Sequence, residues 1–269
     1  MQVAALQMTS STDVAANLRA ASLGLAQAAE AGAELVVLPE YFGLLGRHER
    51  DKLALAERAG SGPLQDFLAQ QAQRHGLWIA GGTVPMASGD AQRVFNTTWV
   101  FNPQGQAVAR YDKIHLFRFT GERESHDETR TIEAGQSCTA FDLPSRDGHC
   151  WRVGLSICYD LRFPELYRQL RGDLLLVPSA FTHPTGQAHW EVLLRARAVE
   201  NLAFVAAAAQ GGVHDNGRRT WGHSMLIDPW GQVLAVQAEN AGLVMAELDP
   251  AQLPRRRSQL PALEHRVLP

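Results

Sequence analysis

The chain has 269 residues, of which 45% are hydrophobic, and its 25 basic and 28 acidic residues give a net charge of −3. This apolar content is enough to bury a full core, and the near-neutral charge gives no electrostatic reason to expect nucleic acid or an acidic membrane as a partner. Three irregularly spaced cysteines, an N-terminus without the basic start of a signal peptide and the absence of a long apolar run predict a cytoplasmic protein without a disulfide framework.

Short β-type runs alternate with helical stretches, and no Pro/Ser-rich linker divides them, so we expect one domain over residues 1–269. The pattern predicts strands over residues 3–8, 35–39, 77–84, 97–101, 107–113, 151–158, 174–178, 204–209, 223–227, 233–236 and 243–248. The first helix is expected from about Asp13 to Ala31, with Ser11 or Thr12 as its cap. Further helices are expected after Pro63, from Pro164, and over residues 188–201, where Val192, Leu193, Ala196 and Val199 share one face.

Two short segments occur twice, in the same order. Leu-Val-Val-Leu-Pro-Glu at 35–40 resembles Leu-Leu-Leu-Val-Pro-Ser at 174–179, and Phe-Asn-Pro-x-Gly at 101–105 resembles Ile-Asp-Pro-x-Gly at 227–231. The second pair predicts a hairpin, because Asn/Asp-Pro-x-Gly favours a tight turn between strands. Two copies of such a unit predict an α/β fold in which two sheets pack face to face with helices outside, a four-layer α-β-β-α sandwich of two similar halves.

Glu40 directly follows the apolar run 35–39, at the carboxyl end of a buried type of strand. Loops at that end commonly carry functional groups in α/β proteins. A carboxylate beside so much apolar sequence would have its pKa raised by loss of water, which suits a general base near neutral pH. The alternative is a strand-end glutamate in water or a helix cap.

Lys113 lies at the end of the first predicted hairpin, in Tyr-Asp-Lys-Ile-His at 111–115. An ammonium group near a thiol and a carboxylate favours the thiolate and stabilises a developing oxyanion. Arg110 and Arg118 are nearby candidates for the same role, and a solvated surface position is the remaining interpretation of the lysine.

Cys158 ends the apolar run 151–158, and Pro164 has the fixed φ that suits the first turn of a helix. The cysteine is therefore expected at a sharp strand-to-helix corner, where a side chain projects into open space and backbone N–H groups face an oxyanion. This position suits a nucleophile. Two further interpretations are a cysteine that packs as a small hydrophobe and a nucleophile paired with a histidine.

Motifs of several other chemistries are absent. The chain has no Gly-x-x-x-x-Gly-Lys loop, no His-Glu-x-x-His and no Cys-x-x-Cys pair, so no nucleotide or metal site is predicted. Gly-Leu-Ser-Ile-Cys at 154–158 differs from the serine-hydrolase elbow, because cysteine stands where the second glycine belongs.

The three candidate residues and their settings resemble the nitrilase superfamily of carbon–nitrogen hydrolases. The motifs are Leu-Pro-Glu at 38–40, Tyr-x-Lys-x-His at 111–115 and Cys-Tyr-Asp-x-Arg-Phe at 158–163, and the resemblance extends over essentially the whole chain. It implies the α-β-β-α sandwich, an amidase activity without metal or organic cofactor, and a homodimer or higher homo-oligomer.

The resemblance also implies a second glutamate that helps to position the lysine and the substrate. Glu128 matches it, in the polar stretch 125–131 between the hairpin and the next strand. Nothing local distinguishes Glu128 from Glu122, Glu124 or Asp127.

By this resemblance, Glu40 takes the thiol proton, Cys158 attacks an amide carbonyl, and Lys113 with the Tyr159 backbone N–H stabilises the oxyanion. Water then hydrolyses the resulting thioester.

Residues 178–197 resemble the branch that contains deaminated glutathione amidases and ω-amidases. Residues 162–166, residues 206–210 and the Leu-Pro-x-x-x-His-Arg motif at 260–266 resemble the deaminated glutathione amidases more closely. Both kinds of amidase act on 2-oxoglutaryl amides, and they differ in the leaving amine, which is cysteinylglycine or ammonia. We expect deaminated glutathione as the substrate, with an ω-amidase, a nitrile or other small-amide hydrolase and a non-catalytic binding protein as competing hypotheses. Arg162, Phe181 and Thr182 are candidate partners of the substrate carboxylate, although Arg162 can instead pair with Asp160 or Glu165.

Overall fold

The computed structural model describes residues 1–121 and 125–267 of the chain. Its strands are β1 (Gln2–Gln7), β2 (Leu35–Val37), β3 (Trp78–Ala80), β4 (Val84–Ala87), β5 (Val94–Phe101), β6 (Ala107–Asp112), β7 (Arg118–Thr120), β8 (Ser125–Asp127), β9 (Ala140–Pro144), β10 (Cys150–Leu155), β11 (Leu174–Leu176), β12 (Phe204–Ala207), β13 (Gly211–Val213), β14 (Arg219–Trp221), β15 (Ser224–Ile227), β16 (Val233–Gln237) and β17 (Gly242–Glu247). Its α-helices are α1 (Val14–Glu30), α2 (Pro63–His75), α3 (Pro164–Leu170), α4 (His183–Asn201) and α5 (Gln252–Gln259). Short 3-10 turns cover Asp51–Leu55, Glu128–Arg130 and Cys158–Arg162. Within the described ranges, none of the helices is long and apolar enough to cross a membrane.

The strands form two large sheets that share a central set of four strands with the same order and directions. The first has the order β17-β1-β2-β3-β5-β4, with β6 also paired to β5, and the second has the order β16-β15-β12-β11-β10-β9. In the first sheet β1, β2 and β3 are parallel and β5 returns antiparallel to β3. In the second, β10, β11 and β12 are parallel and β15 returns antiparallel to β12. The internal repeat that the sequence predicts is therefore a repeat of sheet topology.

The two hairpin turns also match in detail. Asn102 and Asp228 each accept two backbone N–H bonds through one side-chain oxygen, from residues two and four positions later. Gly105 and Gly231 follow with φ of +74° and +81°, a region that favours glycine. In each hairpin the register shifts by one residue just before the turn. The repeated sequence segment thus encodes the same backbone geometry twice.

Four layers result from the alternation of side chains along the strands. Val3, Val37, Val153 and Leu176 belong to one core between the two sheets, which extends to α3 and α4 on the outer face of the second sheet. On the other side, α1 and α2 bury their apolar stripes, including Leu25, against the outer face of the first sheet. The predicted α-β-β-α sandwich is confirmed.

Some predicted boundaries are wrong for local reasons. Residues 77–84 form two strands, because the chain turns at Gly82, whose φ is +53°. Asp13, rather than Ser11 or Thr12, caps α1, since its side chain accepts the N–H of Ala16. The strands β7, β8, β9, β13 and β14 are absent from the sequence prediction.

The buried face of α4 also differs from the prediction. The helix begins at His183, five residues before the predicted start, with a proline in its first turn. Trp190, Leu194 and Ala198 are buried on one stripe, whereas Val192 and Val199 are 63% and 45% exposed. The residues spaced four apart from Trp190 to Ala198 therefore form the face that packs on the core, and the two valines face outward.

Candidate active site

The carboxyl ends of strands from both sheets meet at the proposed site. Glu40 follows β2 in the first sheet, whereas Cys158 follows β10 and Ala180 follows β11 in the second. The Ala180 N–H donates to Glu40 Oε2 at 3.0 Å, and the Cys158 thiol hydrogen-bonds to the Glu40 carboxylate. The packing of the sheets thus brings together residues that are 118 or more positions apart in the chain.

Cys158 lies at the predicted corner between strand and helix. Its φ is +49°, in the left-handed region that a residue with a Cβ seldom adopts. Its N–H donates to Pro178 O at 2.9 Å, and the 3-10 turn Cys158–Arg162 leads directly to α3. Such backbone strain costs of order 1–3 kcal/mol and persists where the surrounding structure imposes it. Here it holds the thiol against the carboxylate.

Lys113 has a fully buried ammonium group that bridges two carboxylates. Its Nζ lies 2.9 Å from Glu40 Oε1 and 2.9 Å from Glu128. The Asn96 side-chain amide also donates to Glu40 Oε1, at 2.8 Å. The position of the ammonium is therefore fixed relative to the carboxylate that contacts the thiol.

Asp160 joins the lysine motif to the cysteine motif. One of its oxygens accepts the Tyr111 hydroxyl at 2.7 Å and the Ile157 N–H at 2.9 Å. The other accepts the His115 N–H at 3.0 Å and lies 2.7 Å from His115 Nδ1. The residues on both sides of Lys113 are thus attached to the turn that carries Cys158.

Glu128 is distinguished from its neighbours by its contacts. It accepts the Tyr41 hydroxyl at 2.9 Å and the Phe117 N–H at 2.6 Å, in addition to its ion pair with Lys113. Asp127 instead binds Thr129 and faces two arginines near the surface. Glu122 and Glu124, which local sequence does not separate from Glu128, lie outside the described residues. The segment predicted as a loop is strand β8 followed by a 3-10 turn.

The proton affinities at the site follow from burial and neighbouring charge. Burial raises the pKa of Glu40, and the Glu128 charge adds to this, while Lys113 opposes it. Burial and the Glu40 charge raise the pKa of the Cys158 thiol well above its ordinary value, against the effect of Lys113. Burial opposes ionisation of Glu128, but Lys113, the Phe117 N–H and Lys52 outweigh it and lower that pKa. The thiol is therefore protonated at neutral pH, beside a carboxylate adapted to take its proton.

The lysine remains charged in this environment. Burial alone would lower the pKa of Lys113, but Glu128, Glu40 and Cys158 outweigh it and raise the pKa well above its ordinary value. A permanent ammonium next to the thiol is suited to stabilise negative charge on a substrate oxygen.

The four residues predicted to bind substrate line a pocket on one side of Cys158. They are Tyr159, Arg162, Phe181 and Thr182. The Arg162 guanidinium lies 5.7 Å from the ring centres of both Tyr159 and Phe181, and 3.3 Å from His189 Nδ1. The pairing of Arg162 with Asp160 is not formed, since the oxygens of that carboxylate bind Tyr111, His115 and Ile157.

Sequence reasoning missed several partners of Glu40 and Glu128. Asn96 and the Ala180 N–H both bind Glu40, and Tyr41 binds Glu128. Ala180 follows the repeated segment 174–179 just as Tyr41 follows 35–40, so the repeat held a signal for both positions. Asn96 is a buried polar residue within a strand, which alone does not reveal its partner. In the described part of the chain, no group of three or more His, Cys, Asp and Glu side chains is arranged to hold a metal ion.

A buried thiol beside a carboxylate and a charged ammonium is an arrangement that suits covalent, cysteine-dependent hydrolysis. The sequence model of the carbon-nitrogen hydrolase family matches residues 2–257. The chain belongs to this family of hydrolases, and the resemblance to the nitrilase superfamily is confirmed.

The similarity to known members covers nearly the whole chain. A protein from Synechocystis sp. named deaminated glutathione amidase is 45% identical, over 98% of this chain and 97% of that protein. The crystal structure of the Caenorhabditis elegans NitFhit protein has a TM-score of 0.89 at 38% identity, over 99% of this chain and 65% of that chain. Saccharomyces cerevisiae Nit3, a member of branch 10 of the nitrilase superfamily, has a TM-score of 0.85 at 30% identity, over 97% of this chain and 94% of that chain.

Proposed function

We propose that the protein is a cysteine-dependent amidase that hydrolyses the 2-oxoglutaryl amide bond of deaminated glutathione to 2-oxoglutarate and cysteinylglycine. The contact of the Cys158 thiol with Glu40, whose carboxylate is paired with the buried Lys113, carries the proposal for the chemistry. The full-length relatives named deaminated glutathione amidase support the choice of substrate.

In the acylation half-reaction, Glu40 takes the thiol proton as Cys158 attacks the amide carbonyl. The Lys113 ammonium and the Tyr159 N–H stabilise the oxyanion. The carbon–nitrogen bond then breaks, the amine leaves with the proton from Glu40, and a thioester remains. Glu128 holds Lys113 in place through their ion pair.

In the deacylation half-reaction, the same carboxylate takes a proton from water, which attacks the thioester carbonyl. The carbon–sulfur bond breaks and 2-oxoglutarate is released. The proton held by Glu40 returns to the sulfur, so the enzyme ends the cycle with a neutral thiol. Each half-reaction uses the same base and the same oxyanion site.

The acyl half of the substrate is assigned to the pocket lined by Tyr159, Arg162, Phe181 and Thr182. A 2-oxo acid carries a carboxylate, and a guanidinium group binds carboxylates with two parallel N–H bonds. The two rings beside Arg162 restrict its position, which lowers the entropic cost of binding.

The test is mass-resolved turnover of deaminated glutathione and of 2-oxoglutaramate by the wild type, Cys158→Ala and Cys150→Ala. Cys150 is an exposed free cysteine and therefore a matched control. We expect faster release of cysteinylglycine than of ammonia, loss of both activities in Cys158→Ala, and full activity in Cys150→Ala. A preference for 2-oxoglutaramate would make the protein an ω-amidase. Turnover of nitriles alone would make it a nitrile hydrolase, and no turnover of any of these compounds would favour a binding protein.

We further propose that residues 1–269 form one domain, that the protein is cytoplasmic and that it forms a homodimer or higher homo-oligomer. The match over residues 2–257 supports the first proposal, and the three free cysteines support the second. Exposed Val192 and Val199 on α4 support self-association, which light scattering after size exclusion tests. A monomer mass at micromolar concentration would contradict it.

A further inference from the structure

Two cations without a carboxylate partner line a second pocket that borders Cys158. Lys52 and Arg218 share this pocket with Glu40, Glu128 and the thiol. Among the described residues, neither side chain has a carboxylate oxygen within 4.0 Å. Cations that face an active-site pocket without an ion pair are available to bind an anion.

Lys52 lies close to Tyr41, which contacts Glu128. Its Nζ is 5.4 Å from the centre of the Tyr41 ring, and the hydroxyl of that ring donates to Glu128. The ammonium is half-buried, and Thr131 Oγ1 accepts a hydrogen bond from it at 3.3 Å. One neutral hydroxyl compensates little of the cost of removing an ammonium from water. An anionic group in the pocket would compensate more.

The carboxylates of this pocket do not pair with Lys52 or Arg218. Glu40 and Glu128 are paired with Lys113, and Glu49, 3.9 Å from His126 Nδ1, lies more than 4.0 Å from both cations. Burial lowers the pKa of Lys52, and Lys113 and Arg218 add to this, while Glu128 and Glu49 oppose it. A bound carboxylate would relieve the repulsion between the cations.

The thiol therefore borders two pockets that each contain a cation. Arg162 lines one of them, and Lys52 with Arg218 lines the other, while Phe117, Cys158, Ala180 and Thr182 belong to both. A 2-oxoglutaryl amide has its acyl carboxylate on one side of the scissile bond. A cysteinylglycine leaving group has a second carboxylate on the other side, within about 7 Å of the amide nitrogen when two residues are extended. Ammonia has none.

We propose that Lys52 and Arg218 form a carboxylate subsite for the leaving amine, so that the enzyme prefers amides whose amine is an amino acid or short peptide. This inference rests on the proposed amidase function and deepens it. The Arg218 guanidinium supplies two parallel N–H donors for a carboxylate, and the Lys52 ammonium supplies a compact positive charge close to Tyr41 and Glu128.

The experiment compares three substrates. They are 2-oxoglutaryl-cysteinylglycine, the same compound with its terminal carboxylate converted to a carboxamide, and 2-oxoglutaramate. In the wild type, we expect the carboxamide to have a kcat/KM about tenfold or more below that of the acid, the effect of one lost hydrogen bond between charged groups. The change is expected mainly in KM, because the subsite contacts the leaving group in the ground state as well as in the transition state.

The variants are Arg218→Gln and Lys52→Met, with Arg219→Gln as the matched control. Arg219 is the exposed neighbour of Arg218 and does not line the pocket. Each subsite variant is expected to lose about tenfold in kcat/KM on the acid and to lose the preference for the acid over the carboxamide. Arg219→Gln is expected to keep that preference. Two variants at separate positions keep the test valid if one of them fails to fold.

The outcomes separate this proposal from the amidase function. Equal wild-type kcat/KM on the acid and the carboxamide, with turnover of both, overturns the subsite and leaves the amidase. An equal fractional loss on all three substrates in both subsite variants also overturns it, because that pattern belongs to a residue that acts through Glu128. No wild-type turnover of any substrate overturns both proposals.

Discussion

The Tyr111→Phe variant tests whether Asp160 holds the lysine and cysteine motifs together. The change removes one hydroxyl from a side chain that is 1% exposed and donates to Asp160 Oδ2 at 2.7 Å. A hydrogen bond to a charged group contributes about 1.5–3 kcal/mol, so we expect a loss of about 2 kcal/mol in the free energy of unfolding. In a protein of this size that loss lowers the Tm by about 5 °C.

Activity is expected to fall as well, because Tyr111 anchors the strand end from which Lys113 projects. Misplacing a catalytic group by a fraction of an ångström costs about tenfold in kcat/KM. The matched control is Tyr167→Phe, in which an equally buried tyrosine loses a hydrogen bond to the neutral Ser156 hydroxyl, at 2.7 Å. It is expected to lose about 1 kcal/mol of stability and to keep its activity.

Urea unfolding and steady-state kinetics with deaminated glutathione measure both effects. If the two variants lose the same stability and the same activity, the hydrogen bond between Tyr111 and Asp160 does not hold the two motifs together.

Three further predictions concern the base and its support. Because burial raises the pKa of Glu40 above 4.5, kcat/KM is expected to fall, as pH decreases, at a midpoint above 4.5; a midpoint at or below that value contradicts a buried base. Since the Glu128 charge raises the pKa of Glu40, Glu128→Gln is expected to move the midpoint of the pH–rate profile to lower pH and to reduce kcat. The control Asp127→Asn is expected to leave the midpoint in place. Equal shifts in the two variants would exclude a direct effect of the Glu128 charge on Glu40. In Gly82→Ala, the new Cβ overlaps the backbone carbonyl just before Glu40, so we expect the free energy of unfolding in urea to fall by at least about 3 kcal/mol. The control Gly89→Ala has free space around the new Cβ and is expected to lose about 1–2 kcal/mol. Similar losses in the two variants would show that the contact is unimportant.

The fold could be predicted because the sequence contains two copies of the same structural unit. The segments 35–40 and 174–179 end equivalent parallel strands, and the segments 101–105 and 227–231 form equivalent turns. Each of these signals is local, since it depends on apolar runs and turn residues within six positions. The agreement between the two copies makes the signal specific.

The strands and helix faces that were missed lack such a signal. Strands β7, β8, β13 and β14 are only three residues long, so no alternation of apolar residues marks them. On α4 the residues at spacings three and four include both Val192 and Trp190, and periodicity alone does not tell which stripe faces the sheet.

The site could be predicted only as separate motifs. The structure brings Glu40, Lys113, Glu128 and Cys158 together, as the sequence leads us to expect. The contacts of Asn96 with Glu40 and of Asp160 with Tyr111 join residues 56 and 49 positions apart, which no local pattern specifies.

The position of Lys52 could not be predicted, since this residue enters the pocket from a short 3-10 turn between β2 and α2. The 3-10 turn carries no sequence motif, and only the packed structure shows that Lys52 lines a pocket with Cys158.

The proposed catalysis passes through a thioester on Cys158. The direct measurement is mass spectrometry of the intact and digested protein after rapid acid quench with saturating deaminated glutathione, on the wild type and on Cys158→Ala. We expect the wild type to gain the mass of one 2-oxoglutaryl group in place of a hydrogen, on the peptide that contains Cys158. The variant is expected to gain nothing and to release no cysteinylglycine. An adduct on Cys138 or Cys150, or cysteinylglycine release by Cys158→Ala, would contradict this mechanism.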